Sequence, residues 1–285
     1  MLSDSDARQS DSSSPAVIDV WQFIGLEAAE ASAREPVLAS FYHAAILNHP
    51  SFAAAISFHL ANKLDSQAMP AMMIREVFEA ALANDPQIEL AMRADICAHR
   101  DRDPACNQYS MPFLFFKGYH ALQSYRVAHW LWQRGRQCLA LYLQNQISQE
   151  FDVDIHPAAV IGSGVMIDHA TGVVMGETTV VEDNVSLLHG VTLGGSGCAS
   201  GDRHPKVRRG VLIGVGAKIL GNIDIGEGAK IGAGSVVLEP VLPHTTVAGV
   251  PAKLVGRPKV EEPALDMDHH LSDDVVGDPS PGADE

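Results

Sequence analysis

Aliphatic residues recur every six positions through the second half of the chain. A period of six is typical of a parallel β-helix, in which each aliphatic side chain fills the interior of a short strand. A conventional sheet would instead show alternation of period two with hairpin turns. With three strands per coil, the spacing predicts about five coils over residues 151–258. The repeat positions are Ile155, Ile161, Ile167, Val173, Val181, Leu187, Leu193, Ile213, Ile219, Ile225, Ile231 and Val237.

The first half of the chain has a helical period. Ile74, Val77, Phe78 and Ala81 fall on one face of a predicted helix that ends at Asp85-Pro86. Similar patterns fill residues 16–150, and we expect this helical domain to serve packing and self-association. The fold class is therefore α + β, a helical bundle followed by a β-helix.

Two segments outside these halves are predicted to be disordered tails. Residues 1–15 are rich in Ser and Asp and lack the pattern of a secretory signal. The other tail is residues 259–285, in which the stretch 261–285 contains nine acidic residues and no Lys or Arg. The net charge of −15 gives no support for binding nucleic acid or an anionic membrane, and no apolar run approaches a membrane span. We expect a cytoplasmic protein.

The four cysteines do not predict a metal site. Cys97, Cys106, Cys138 and Cys198 form no C-x-x-C pair and have no histidine at zinc-ligand spacing. Unpaired thiols in a reducing compartment are the favoured interpretation.

Polar residues interrupt the aliphatic repeat in two places. The first holds Asp154 and the pair Asp168-His169; the second is a predicted loop, 194–210, which is rich in glycine and basic residues. Asp154 and His169 are fifteen positions apart, a little less than one coil of eighteen, so stacking would bring them near one edge on adjacent coils. A histidine beside an aspartate is a satisfied polar pair, a metal ligand or a general base.

Five motifs stand out along the chain: RDPA (102–105), DIHPAAVIGSGVMIDHATGVVMGET (154–178), VTLGGSG (191–197), GDRHPKVRRGVLIGVGAKILGN (201–222) and GVPAKLVGRP (249–258). Together they resemble the bacterial serine O-acetyltransferases, a family of hexapeptide-repeat acyltransferases. The resemblance implies a left-handed β-helix and the transfer of an acetyl group from acetyl-CoA to the hydroxyl of L-serine.

The resemblance assigns the acid–base chemistry to two residues. His169 matches the general base, and imidazole titrates near neutral pH, as that role requires. Asp154 matches the aspartate that orients this imidazole. The attack on the thioester is direct and produces an oxyanion, whose hydrogen-bond donor the sequence does not identify.

The resemblance also implies a site for the amino acid. A guanidinium binds a carboxylate in bidentate fashion, which suits Arg203 with His204 beside it. Asp103 and Asp168 match positions that contact the substrate, and either is able to pair with its ammonium group. Glu177 matches an acidic position near this site.

Acetyl-CoA is the implied cosubstrate, lying along the β-helix between neighbouring subunits. The matching contacts are Gly195, Lys230, Ala233 and Lys253. The family forms trimers of the β-helix, which pair into hexamers through the helical domains. L-cysteine, which differs from serine by sulfur for oxygen, is expected to inhibit at the serine site.

Three other functions remain open. One is acetyl transfer to another hydroxyl, such as that of homoserine or a sugar. Another is a β-helix zinc carbonic anhydrase, with ligands from among His156, His169, His189 and His204. The third is a non-enzymatic scaffold. Family members dock a C-terminal isoleucine into O-acetylserine sulfhydrylase; this sequence ends in GADE, so we expect no stable complex of that kind.

Overall fold

A computed structural model describes residues 19–197 and 200–271; the predicted tail 1–15 and Cys198 lie outside these ranges. Helices occupy residues 20–151, which confirms the predicted helical half. No helix within the described ranges is long and apolar enough to cross a membrane. The helices are α1 (Val20–Arg34), α2 (Ala39–Tyr42), α3 (Phe52–Lys63), α4 (Ala71–Asn84), α5 (Pro86–Arg102), α6 (Ser110–Phe115), α7 (Lys117–Gln133) and α8 (Gln137–Phe151), with a 3-10 turn (Pro36–Leu38) and a π-helical turn (His43–Leu47) flanking α2.

Three sheets follow and form the walls of a β-helix of about five coils. Their strands pair in parallel, except for the antiparallel pair formed by Thr246–Gly249 and Ala252–Gly256 at the end of the third sheet. The repeat aliphatics point inward and are buried. The sheets have the strand orders β1-β4-β7-β10-β13, β2-β5-β8-β11 and β3-β6-β9-β12-β14-β15. The strands are β1 (Val153–Ile155), β2 (Val160–Ile161), β3 (Met166–Ile167), β4 (Val173–Met175), β5 (Val180–Val181), β6 (Ser186–Leu187), β7 (Thr192–Gly194), β8 (Lys206–Val207), β9 (Leu212–Ile213), β10 (Lys218–Leu220), β11 (Asp224–Ile225), β12 (Lys230–Ile231), β13 (Val236–Val237), β14 (Thr246–Gly249) and β15 (Ala252–Gly256).

The predicted loop 194–210 is too long at both ends. Gly194 ends β7, and β8 pairs with both β5 and β11 inside the predicted interruption. Val207 lies six positions before Ile213, so it holds a repeat position that the surrounding glycine and basic residues obscured. The interruption between strands therefore begins after Gly194 and ends before Lys206.

The predicted disordered tail is wrong for residues 259–271. They contain a short helix, α9 (Pro263–Asp266), in which Pro263 and Ala264 are buried. Ser186 Oγ donates to the carbonyl oxygen of Ala264 (2.9 Å), and Arg209 forms an ion pair with Glu262 (2.8 Å). These contacts hold the segment on the third sheet, whereas residues 272–285 lie outside the described ranges.

Helix α7 lies along the first coil of the β-helix. The Tyr125 hydroxyl donates to the carbonyl oxygen of Ala159, and His129 Nδ1 lies 2.7 Å from the carbonyl oxygen of Pro157. At the other end, Gly118 approaches Ile167 so closely that an added Cβ would lie 2.0 Å from the Ile167 carbonyl oxygen. The helical half therefore forms one wall beside the turn that follows β3.

Candidate active site

A cavity of about 430 Å³ lies between the helical half and the first coil. It brings together Asp103 at the end of α5, and Asp168 and His169 in the turn after β3. The helices contribute an apolar wall opposite this turn. Its lining residues are His99, Asp103, Ala105, Met111, Phe115, Phe116, Lys117, Gly118, Ile167, Asp168, His169 and Thr171.

His169 is presented by a tight turn between β3 and β4. His169 and Ala170 both adopt left-handed backbone conformations, with φ of 55° and 60°. The side chain of His169 is 71% exposed, and its Nε2 atom lies 3.6 Å from Asp168 Oδ2. One coil further on, the ring of His189 lies edge-on to that of His169 with centroids 5.8 Å apart. The base assigned by resemblance thus projects from a rigid corner into an open site.

Asp103 and Asp168 place two carboxyl groups close together at this cavity. Burial raises the pKa of Asp168, and the nearby Asp103 carboxylate raises it further. Asp103 Oδ1 accepts a hydrogen bond from the Ala105 amide (2.8 Å), which fixes its side chain at the end of α5. Two carboxyl groups so arranged attract a cation, such as the ammonium group of an amino acid.

Asp154 does not bind His169 in this structure. It lies in β1, at the start of the coil that the His169 turn completes, so the two residues belong to one coil rather than to adjacent coils. Asp154 Oδ1 instead accepts a hydrogen bond from Gln144 Nε2 (2.6 Å) of α8. Its assignment as the orienting aspartate remains a proposal.

Arg203, His204 and Glu177 form a second cluster, which does not line the cavity. Arg203 Nη2 donates to Glu177 Oε2 (2.8 Å) and Nη1 to the Gly201 carbonyl oxygen (3.0 Å). The hydrogen bond from Arg203 lowers the pKa of Glu177. One chain therefore holds the candidate ammonium site and the candidate carboxylate site as two separate groups.

The sequence reasoning missed Thr178, which organises the second cluster. Its hydroxyl oxygen accepts hydrogen bonds from the amides of Arg203 (3.0 Å) and His204 (3.1 Å), and it lies 2.9 Å from His204 Nδ1. His204 is only 7% exposed and packs on Gly176, where an added Cβ would lie 1.9 Å from its Nε2. The position of Thr178 in the MGET motif was the available signal.

The four predicted CoA contacts differ in accessibility. Gly195, Ala233 and Lys253 are exposed. Lys230 is 3% exposed, and its Nζ donates to the carbonyl oxygen of His270 (2.6 Å). The predicted contact of Lys230 with CoA is therefore opposed by burial under the C-terminal segment.

The histidines considered for zinc are not grouped as a metal centre in the part of the chain that the structure describes. Within it, no group of three or more His, Cys, Asp or Glu side chains could hold a metal ion. His156, one of the histidines considered for zinc, accepts a hydrogen bond from the Ala158 amide (3.1 Å) and faces Trp132.

Two family models match the chain. Residues 20–124 match "Serine acetyltransferase, N-terminal", and residues 204–239 match "Bacterial transferase hexapeptide (six repeats)". The serine acetyltransferase of Salmonella typhimurium is 60% identical over 253 residues, which cover 89% of this chain and 93% of that protein.

Solved structures of serine acetyltransferases superpose over most of the chain. A complex with cysteine is 58% identical, with a TM-score of 0.87 and coverage of 89% of this chain and 98% of that one. A Brucella abortus enzyme in complex with coenzyme A is 53% identical (TM-score 0.83, coverage 85% and 96%). A Neisseria gonorrhoeae enzyme in complex with serine is also 53% identical (TM-score 0.81, coverage 84% and 98%). The architecture, the motifs and these similarities together show that the chain belongs to the serine acetyltransferase family of acyltransferases.

Proposed function

We propose that this protein transfers the acetyl group of acetyl-CoA to the hydroxyl of L-serine, giving O-acetyl-L-serine and CoA. The observation that carries the proposal is the cavity that brings His169 together with Asp103 and Asp168. A general base beside two carboxyl groups suits a substrate that carries both a hydroxyl and an ammonium group. The relative crystallised with serine supports the same acceptor.

In the proposed reaction, His169 accepts the hydroxyl proton as the serine oxygen attacks the thioester carbonyl carbon. The new C–O bond gives a tetrahedral oxyanion, which collapses as the C–S bond breaks. The proton held by the imidazolium then passes to the CoA thiolate. Asp168, whose Oδ2 lies 3.6 Å from His169 Nε2, is placed to stabilise the transient imidazolium. Asp154 would be the alternative partner of the imidazolium if its hydrogen bond with Gln144 were broken.

The carboxylate of serine requires a cation, and the proposed one is Arg203. Because Arg203 and the cavity belong to separate clusters of one chain, a neighbouring copy is the natural source of the guanidinium. A trimer of β-helices would supply such a neighbour at each corner. Pairing of trimers through the helical halves would give the hexamer implied by the family resemblance.

Acetyl-CoA is proposed to lie along the β-helix between copies. Gly195, Ala233 and Lys253 are exposed at positions where it would pass. The relative crystallised with coenzyme A supports this cosubstrate.

Free thiol release from acetyl-CoA tests the proposal, with L-serine, L-homoserine and a hexose as parallel acceptors. We expect release that depends on serine and exceeds that with the other two. Release with homoserine or the hexose alone would keep acetyl transfer but reassign the acceptor. No thiol release with any of the three acceptors would reject the proposed activity.

L-cysteine is proposed to inhibit by occupying the serine site. It presents the same carboxylate and ammonium groups, and a relative has been crystallised with cysteine. Initial rates at several serine concentrations test this idea, because competition raises the apparent KM for serine without changing kcat. Inhibition that serine does not relieve would contradict a shared site.

A further inference from the structure

A buried ion pair joins the helical half to the turn before β3. Asp95 of α5 is fully buried, and its Oδ2 accepts hydrogen bonds from Arg126 Nη2 (2.7 Å) and Nε (3.1 Å) and from Gln123 Nε2 (3.0 Å). The other oxygen, Oδ1, accepts from the backbone amide of Val165 (2.9 Å). One carboxylate therefore binds two helices and the β-helix at once.

Arg126 extends the same contact along the first coil. Its Nη1 donates to the Ile161 carbonyl oxygen (3.2 Å) and its Nη2 to the Gly162 carbonyl oxygen (2.7 Å). The backbone between β2 and β3 is thus held at Ile161, Gly162 and Val165. We call Asp95, Gln123 and Arg126 the α5–α7 clamp.

The clamp and the cavity lie on the same two elements. Asp103 follows Asp95 by eight residues on α5, a separation of about 12 Å along a helix. Asp168 follows Val165 by three residues through β3, roughly 10 Å along a strand. At one end the clamp fastens α5 to Val165, the residue before β3. At the other end, Asp103 and Asp168 both line the cavity, where two like charges face one site. Their repulsion favours separation of the two elements, and the clamp opposes it.

We propose that the α5–α7 clamp is a positioning device that sets the separation of Asp103 and Asp168, and hence the binding of the substrate's ammonium group. The inference rests on the proposed function. Asp95 and Arg126 touch no substrate in this scheme; they act through the two carboxyl groups. Weakening the clamp therefore affects serine more than acetyl-CoA.

The primary test is Asp95→Asn, which keeps the side-chain shape but removes the charge. A buried Arg126 without its partner opposes folding, so Asp95→Asn/Arg126→Gln, which removes both charges, serves as the second variant. We expect the KM for serine to rise about fivefold or more, with the KM for acetyl-CoA within about twofold of wild type.

Tyr125→Phe is the matched control, since it removes a different hydrogen bond from α7 to the same coil. It should lower the thermal midpoint of unfolding without raising the KM for serine relative to the KM for acetyl-CoA. The inference is overturned if the folded variants change both KM values equally, if Tyr125→Phe reproduces the serine effect, or if neither clamp variant folds while the control does. Absence of serine-dependent thiol release by the wild type would instead reject the proposed function.

Discussion

Glu177 and Arg203 form an ion pair of 2.8 Å, so the guanidinium proposed for serine's carboxylate already binds a carboxylate of its own chain. Serine must displace Glu177 if its carboxylate is to bind Arg203 through both guanidinium nitrogens. Both side chains are partly exposed, at 41% and 30%, so the pair is easily broken. Glu177 is therefore better interpreted as a competitor for Arg203 than as a direct ligand of the amino acid.

Glu177→Gln should lower the KM for serine about two- to fivefold, because the competing charge is removed while the amide still fits beside Arg203. Steady-state kinetics at saturating acetyl-CoA measure this change. Glu182→Gln is the control, since Glu182 forms a similar exposed pair with Arg208 (2.9 Å). An unchanged or higher KM in Glu177→Gln would argue against competition.

The architecture was largely predictable because its signal is periodic and local. The spacing of Ile161 and Ile167 alone predicts a coil. The DHATG motif predicts that His169 lies at a corner of the coil. Composition could not predict that residues 259–271 adopt a defined structure. Burial of Ala264 depends on a surface that the third sheet provides only after folding.

The clamp shows why the contacts that support the site could not be predicted from the sequence. Asp95 lies seven residues after Ile88, on the inward face of α5, where a charge is unexpected. That position indicates a buried partner but does not identify Arg126 or the Val165 amide, which other elements supply. For Asp154, the motif suggested a partner, His169, but did not predict the hydrogen bond that Asp154 accepts from Gln144.

His169→Ala should reduce kcat about 10²- to 10⁴-fold, the range expected for loss of a general base. The exposed side chain contributes little packing, so the thermal midpoint and circular dichroism should match those of wild type. His43→Asn, at an exposed position in the helical half, is the control and should retain activity. Wild-type turnover in His169→Ala would remove the base assignment.

Gly118→Ala should impair both folding and turnover. The added Cβ would lie 2.0 Å from the Ile167 carbonyl oxygen, so either α7 or the strand that precedes Asp168 must shift. We expect a loss of about 1–3 kcal/mol in the free energy of unfolding and a reduced kcat/KM for serine. Urea unfolding and steady-state kinetics measure the two effects.

Gly25→Ala provides the matched helix control for that substitution. An added Cβ at Gly25 meets no atom of residues 19–197 or 200–271 within 4 Å, and alanine favours the helical backbone. Its stability should therefore stay constant or rise by about 0.5–1 kcal/mol. A Gly118→Ala protein as stable and active as Gly25→Ala would show that the contact with Ile167 relaxes freely.

Acidification should unfold the helical half through its buried histidines. Burial lowers the pKa of His59 to about 4 and that of His99 to about 3, whereas both titrate near 6.5 when unfolded. His59 Nε2 and both ring nitrogens of His99 are buried without a hydrogen-bond partner among the described residues, so the core favours neutral rings. Below about pH 6.5 the unfolded chain binds protons that the folded protein excludes. The free energy of unfolding therefore decreases as the pH is lowered.

Each histidine should remove about 2 kcal/mol from the free energy of unfolding between about pH 7.5 and about pH 5. Denaturant titrations at both pH values measure the total loss. His59→Leu should reduce it by about 2 kcal/mol, because His99 and His120, whose pKa values burial also lowers, still take up their protons on unfolding. His43→Asn, which alters an exposed ring, should leave the loss unchanged. If His59→Leu shows the full loss, the proton uptake belongs to other groups, and burial of the His59 ring does not control the acid stability of the protein.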